Sequence, residues 1–165
     1  MEQGIGKKRN NAGMSLIELV VAVLIIGILS AGAVIGFSFI HSMDASSAAE
    51  TVNSLLERTR LNTIAAEEGA GIRLELKKED NSYYGILWKG TTELDKMEFG
   101  GNGITVRVTA ADGTVTTIDE IHTCEFSFKK SNGAFQSTYE KIEIAGSKTV
   151  AVYLVTATGR SYIGN

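Results

Sequence analysis

Residues 14–40 read MSLIELVVAVLIIGILSAGAVIGFSFI, and this stretch decides the fold. From Leu19 to Ile40 there are 22 residues without a charge, rich in Leu, Ile, Val, Ala and Gly. At about 1.5 Å per residue, a helix of that length crosses a hydrocarbon core of roughly 30 Å. A secretory signal has an apolar core of only about 7–15 residues, closed by a small-residue cleavage site. This run is longer and passes into a helical pattern without a break. A core helix of a soluble protein fits the length least. The stretch therefore reads as a membrane helix. The chain has no proline, so no helix in it loses a backbone donor, and one long helix is allowed.

Before this run, Met1–Gly13 carries Lys7, Lys8 and Arg9 against Glu2. A basic cluster ahead of an apolar helix keeps the N-terminus in the cytoplasm and sends the chain beyond Ile40 to the outer side. Glu18 stands at the entrance of the run, five residues beyond Gly13. A charge at the middle of a membrane helix costs about 2.5–3.5 kcal/mol, and less near an end. Two roles fit it. Ser15-Leu16-Ile17-Glu18 has the S-x-x-E spacing of a capping box, in which the carboxylate satisfies a free N–H of the first turn. Alternatively, Glu18 awaits a positive partner such as a newly exposed α-amino group.

Lys7-Lys8-Arg9, Gly13 and then Met14-Ser15-Leu16-Ile17-Glu18-Leu19-Val20-Val21-Ala22-Val23-Leu24-Ile25-Ile26-Gly27-Ile28-Leu29 resemble the N-terminal signature of type IV prepilins and pseudopilins, over about residues 7–35. The resemblance implies that prepilin peptidase cuts between Gly13 and Met14 on the cytoplasmic face and methylates the new amino group of Met14. It implies that Glu18 pairs with the N-terminal amine of a neighbouring subunit in a filament, and that the partners are other pilin or pseudopilin subunits and an inner-membrane assembly platform. The sequence departs from the family at two places. Most members have Phe where Met14 stands, and many carry a helix proline where this chain reads Ala33-Val34-Ile35-Gly36. Without that proline kink, Gly27, Gly32 and Gly36 are the places where the helix can soften. An amine and a carboxylate both lose hydration in a core of apolar helices, and pairing lowers that penalty.

Beyond Ile40 the helical pattern continues. Ala45, Ala48, Ala49, Val52, Leu55, Leu56 and Thr59 recur at three- and four-residue spacing, with Asp44, Glu50, Asn53, Glu57, Arg58 and Arg60 between them. Leu61 falls off that stripe, which suggests a helix end buried on two sides. Gly69-Ala70-Gly71 is the first strong stop. One helix from about Met14 to Glu68 would be roughly 80 Å long. The remainder alternates with period two between glycine-rich turns and reads as antiparallel strands: Ile72–Lys77, Tyr83–Lys89, Ile104–Val108, Cys124–Phe128, Ile142–Ile144, Val150–Val155 and Ser161–Ile163. Val150–Val155 is apolar on both faces and is expected to be central and covered by the helix. The expected fold is α+β and pilin-like: a leader over 1–13, a transmembrane or filament-core helix over 14–40, the amphipathic half of the same helix over 41–68, and a head over 69–165 formed by an antiparallel sheet.

Phe126–Phe128, Asn132-Gly133, Lys141–Ile144, Val150–Val155 and Thr158-Gly159-Arg160 further resemble the head of H-type minor pseudopilins, which implies a minor subunit. Some relatives that bind DNA carry a second basic residue where this chain has Tyr162, so Arg160 alone would carry that role. The formal charge is −3, and after loss of the leader 13 basic residues face 18 acidic ones. That balance argues against nucleic acid as a partner.

Little else points to chemistry. His41, His122 and Cys124 are too few and too scattered for a metal site. His122 and Cys124 share strand parity, which makes them candidate neighbours, with packing the simpler role for the thiol. Gly100-Gly101-Asn102-Gly103 lacks the spacing of a nucleotide fingerprint. Lys77-Lys78-Glu79-Asp80 reads as a solvated loop, and the strip Tyr83, Tyr84, Trp88 as sheet core. No catalytic set, cofactor site or metal site is expected. The expected function is that of a structural subunit of a type IV pilus or type II secretion-like pseudopilus. The alternative is a membrane-anchored binding module for a secreted substrate, adhesion or DNA uptake.

Overall fold

The computed structural model describes Ile17, Val20, Val21 and Asp44–Gly164. The chain divides into two units, Met1–Ser38 and Phe39–Asn165. In the first, the three described residues are helical and exposed, and their spacing of three and four puts them on one face. Among the described residues, no helix is long and apolar enough to cross a membrane.

The second unit begins with helix α1 (Ala45–Ala65). Asp44 before it has extended dihedrals (φ −62°, ψ 147°), so a helix starts afresh at Ala45. Of the helix expected over Met14–Glu68, about half the positions lie outside the described residues, and the helix described in this unit begins at Ala45. The carboxylate of Asp44 makes no cap bond. It accepts instead from Ser147 Oγ at 3.1 Å and stands 3.7 Å from Lys148 Nζ. The buried stripe is Ala45, Ala48, Ala49, Val52, Leu55, Leu56, Thr59 and Thr63. Its alanines let the first turns approach the sheets closely, and its leucines fill the wider space beyond. The buried hydroxyls of Thr59 and Thr63 donate to the carbonyls of Leu55 (2.6 Å) and Thr59 (2.9 Å), so neither is orphaned. Leu61 is 59% exposed, on the side of the helix away from that stripe. The helix end is thus buried on one side only.

Among the described residues nine strands follow, all paired antiparallel. They are β1 (Ile72–Glu79), β2 (Ser82–Lys89), β3 (Thr92–Gly100), β4 (Thr105–Ala110), β5 (Val115–Thr117), β6 (Cys124–Ser127), β7 (Tyr139–Ala145), β8 (Thr149–Val155) and β9 (Arg160–Gly164). They form two sheets rather than one, in the orders β3-β2-β1-β6 and β5-β4-β7-β8-β9. The hairpin β1–β2 turns on Asp80 (φ 48°) and Asn81 (φ 65°), the pair of left-handed residues that a two-residue turn of this twist requires.

The core lies where α1 meets both sheets. Leu74, Leu76, Cys124 and Phe126 come from the first sheet. Val106, Val108, Ile142, Ile144, Val150, Val152 and Leu154 come from the second. Strand β8 is interior to its sheet, but only alternate residues face the core: Tyr153 and Val155 are exposed on the outer side. One close approach locks the far end of the unit. Gly133 (φ +69°) and Gly159 (φ +64°) meet so tightly that a Cβ on Gly159 would overlap the Gly133 carbonyl oxygen. That carbonyl also accepts from Arg60 Nε of α1 at 3.2 Å.

Candidate functional site

The residues singled out for processing and assembly, Gly13, Met14 and Glu18, lie outside the described residues. Their neighbours Ile17, Val20 and Val21 form an apolar helix face that is exposed among the described residues. An uncovered apolar face of this kind is satisfied only by lipid or by another helix.

The head separates residues that sequence spacing had grouped. Cys124 is buried, and burial pushes its thiol above the ordinary range; the Tyr139 hydroxyl is pushed up too, again chiefly by burial. His122 is exposed on the loop before β6, where its Nδ1 lies 2.9 Å from Asp119 Oδ1. The two do not meet. Tyr83 is core, in contact with Phe99 (5.9 Å between centroids). Tyr84 and Trp88 are instead half-buried on the outer face of the first sheet. Lys96 lies over Tyr84 at 4.3 Å and Arg73 over Trp88 at 5.2 Å. Trp88 Nε1 donates to Glu75 Oε2 at 2.9 Å. Lys96 and Lys77 pair with Glu79 at 2.7 and 3.1 Å, which holds the Glu79 carboxyl below its usual range and raises Lys96. The positive side chains on this face are spent on its own carboxylates and rings. Arg160 follows the Thr158-Gly159 turn, is exposed, and has no ion-pair partner among the described residues. Its neighbour Tyr162 stacks on Tyr153 at 5.3 Å. Among the described residues, no group of three or more His, Cys, Asp or Glu is disposed to hold a metal ion.

Two features escaped the sequence reading. A cleft of about 380 Å³ opens between the C-terminal end of α1, the glycine loop Gly69–Gly71, the start of β1 and the end of β6. Its walls include Ala66, Ile72 and Phe128, with Glu67 and Glu68 after the helix and Lys130 after β6. The other feature is the loop Ile118–Thr123. Asp119 there accepts from the N–H groups of Ile121 (2.8 Å) and His122 (2.7 Å) as well as facing the His122 ring. These bonds, the His122 side chain first among them, lower its carboxyl from 3.8 to about 2. A lone isoleucine in the polar run Asp119-Glu120-Ile121-His122 was the only sequence signal for the loop.

Residues 8–34 match the family model of the prokaryotic N-terminal methylation motif. The match supports a type IV prepilin or pseudopilin N-terminus and stops short of the head. No curated protein and no solved structure matches the chain.

Proposed function

We propose that this chain is a structural subunit of a type IV pilus or type II secretion-like pseudopilus. The observation that carries the reading is the N-terminal methylation motif over residues 8–34, a range that contains Gly13, Met14 and Glu18. The apolar face of Ile17, Val20 and Val21, exposed among the described residues, is in keeping with it, because such side chains are stabilised by an apolar partner.

The work is mechanical. The chain waits in the cytoplasmic membrane with its N-terminus inside and its head outside. Prepilin peptidase removes Met1–Gly13 and methylates Met14. The helix then leaves the bilayer into a bundle of equivalent helices of other pilin subunits on an inner-membrane assembly platform, and its apolar surface never meets water. Glu18 and a neighbour's α-amino group enter that bundle as a pair. A buried charge left alone would cost several kcal/mol, so correct register is favoured over any other. The head resemblance to minor subunits gains nothing from the described residues.

Mass spectrometry of the membrane form tests the reading. The expected chain begins at N-methylated Met14. A chain that keeps Met1–Gly13 in cells with active prepilin peptidase would instead be an ordinary anchored module.

A further inference from the structure

The chain holds two Asn-Gly pairs, Asn102-Gly103 and Asn132-Gly133. Such a pair is where a chain reacts with itself most readily. Glycine has no side chain to shield its backbone nitrogen, and that nitrogen lies within reach of the asparagine carboxamide carbon. The fold treats the two pairs differently.

Asn132-Gly133 is closed. Gly133 is buried, and its N–H donates to the Lys129 carbonyl at 2.7 Å. Asn132 Oδ1 accepts from the Ala134 N–H at 3.1 Å, which fixes the carboxamide. Attack there requires a local opening that breaks both bonds. Asn102-Gly103 is open. Both residues are exposed, at the centre of a turn closed by the Ile104 N–H on the Gly101 carbonyl at 3.2 Å. Among the described residues, no backbone carbonyl accepts the Gly103 N–H.

We propose that Asn102 is a site of spontaneous deamidation, and that its isoaspartate product loosens the seat of α1. The Gly103 nitrogen bonds to Cγ of Asn102. The carboxamide nitrogen leaves as ammonia and takes the Gly103 N–H proton with it. One water then opens the cyclic imide. Opening at the side-chain carbonyl gives aspartate; opening at the backbone carbonyl gives isoaspartate, with one more methylene in the main chain. The base of the turn has no slack for that methylene. Ile104 is 6% exposed, and its Cγ2 and the Gly103 carbonyl oxygen lie 3.2 and 3.3 Å from where a Cβ on Gly146 would stand. Ala45, the first residue of α1, meets the same point at 3.6 Å. A longer main chain pushes Ile104 off this seat. The inference goes beyond the filament-subunit reading and does not depend on it.

Ageing of the full chain in detergent, in mildly alkaline heavy-oxygen water, tests it. The tryptic peptides Met97–Arg107 and Ser131–Lys141 carry one Asn-Gly pair each, so mass spectrometry reads the label at each site separately. In the folded chain Asn102 is expected to convert about tenfold or more faster than Asn132, the factor set by the two hydrogen bonds broken on opening. In urea the two rates should converge. Gly103→Ala should slow Asn102 severalfold without disturbing the fold, because nothing lies within 4 Å of its new methyl. Equal rates in the folded chain, or a ratio that persists in urea, overturns the assignment of Asn102. The isoaspartate form, separated by chromatography, should melt below Asn102→Asp, which has the same charge and an ordinary main chain. Equal melting of the two overturns the effect on α1.

Discussion

Replacing Gly159 by alanine isolates the contact that locks the C-terminal turn onto the rest of the head. Two costs add. The first is conformational: Gly159 has φ +64°, where an alanine Cβ crowds its own carbonyl by roughly 1–2 kcal/mol. The second is contact. The new methyl would overlap the Gly133 carbonyl oxygen, so the Lys129–Gly133 turn must move. Such overpacking costs about 1–3 kcal/mol. The displaced carbonyl also loses the Arg60 Nε bond, for about 1 kcal/mol more. The total is roughly 3–6 kcal/mol. Gly90→Ala is the control, because Gly90 has nearly the same φ (+59°) and nothing within 4 Å of where its Cβ would stand. It should cost only the conformational share, about 1–2 kcal/mol. At roughly 3–5 °C per kcal/mol for a unit of this size, Tm should fall by about 3–10 °C for Gly90→Ala and by about 9–30 °C for Gly159→Ala. The assay is thermal unfolding of the full chain in detergent, followed by the fluorescence of Trp88. Equal falls in Tm for the two variants would refute the Gly133–Gly159 contact as the source of rigidity.

Phe126→Ala removes a fully buried ring that lies 5.1 Å from Tyr139, and should cost about 3–5 kcal/mol by denaturant unfolding. Leu61→Gln, on the exposed side of α1, should change stability by no more than about 0.5 kcal/mol in the same assay; a larger loss would mean that Leu61 is covered. The Asp119 carboxyl is depressed from 3.8 to about 2, so its hold on the loop is complete above about pH 4 and is lost as pH falls through 2. The amide resonances of Ile121 and His122 should follow that midpoint, and a midpoint near 4 would show that the bonds do not form. Glu18→Val should still insert into the membrane but enter fibres poorly, as read by fractionation and immunodetection; normal entry would remove Glu18 from assembly.

Much of this molecule is legible along the chain because its signals are local. The charge-free run from Leu19 to Ile40, the basic cluster before it and the position of Glu18 after Gly13 need no partner to be read. The stripe from Ala45 to Thr59 reports one buried helix face because helical spacing is a property of the backbone. Alternation located β1, β2, β4 and β6 for the same reason. Strand β3 escaped because its outward positions dominate: Glu93, Asp95, Lys96 and Glu98 leave only Phe99 fully buried. Edge strands need only one apolar residue where pairing to β2 supplies the rest.

Tertiary packing alone decided how the strands were shared out. Cys124–Ser127 and Tyr139–Ala145 are equally alternating, yet one pairs with β1 and the other with β4, because α1 is broad enough to cover an inner face of each sheet. The same packing parted His122 from Cys124, sent Tyr83 inward and Trp88 outward, and set Gly133 against Gly159 across more than twenty residues of chain. Periodicity reports which side of an element is apolar. Which apolar sides meet depends on volume and closure, and those exist only once the chain has folded.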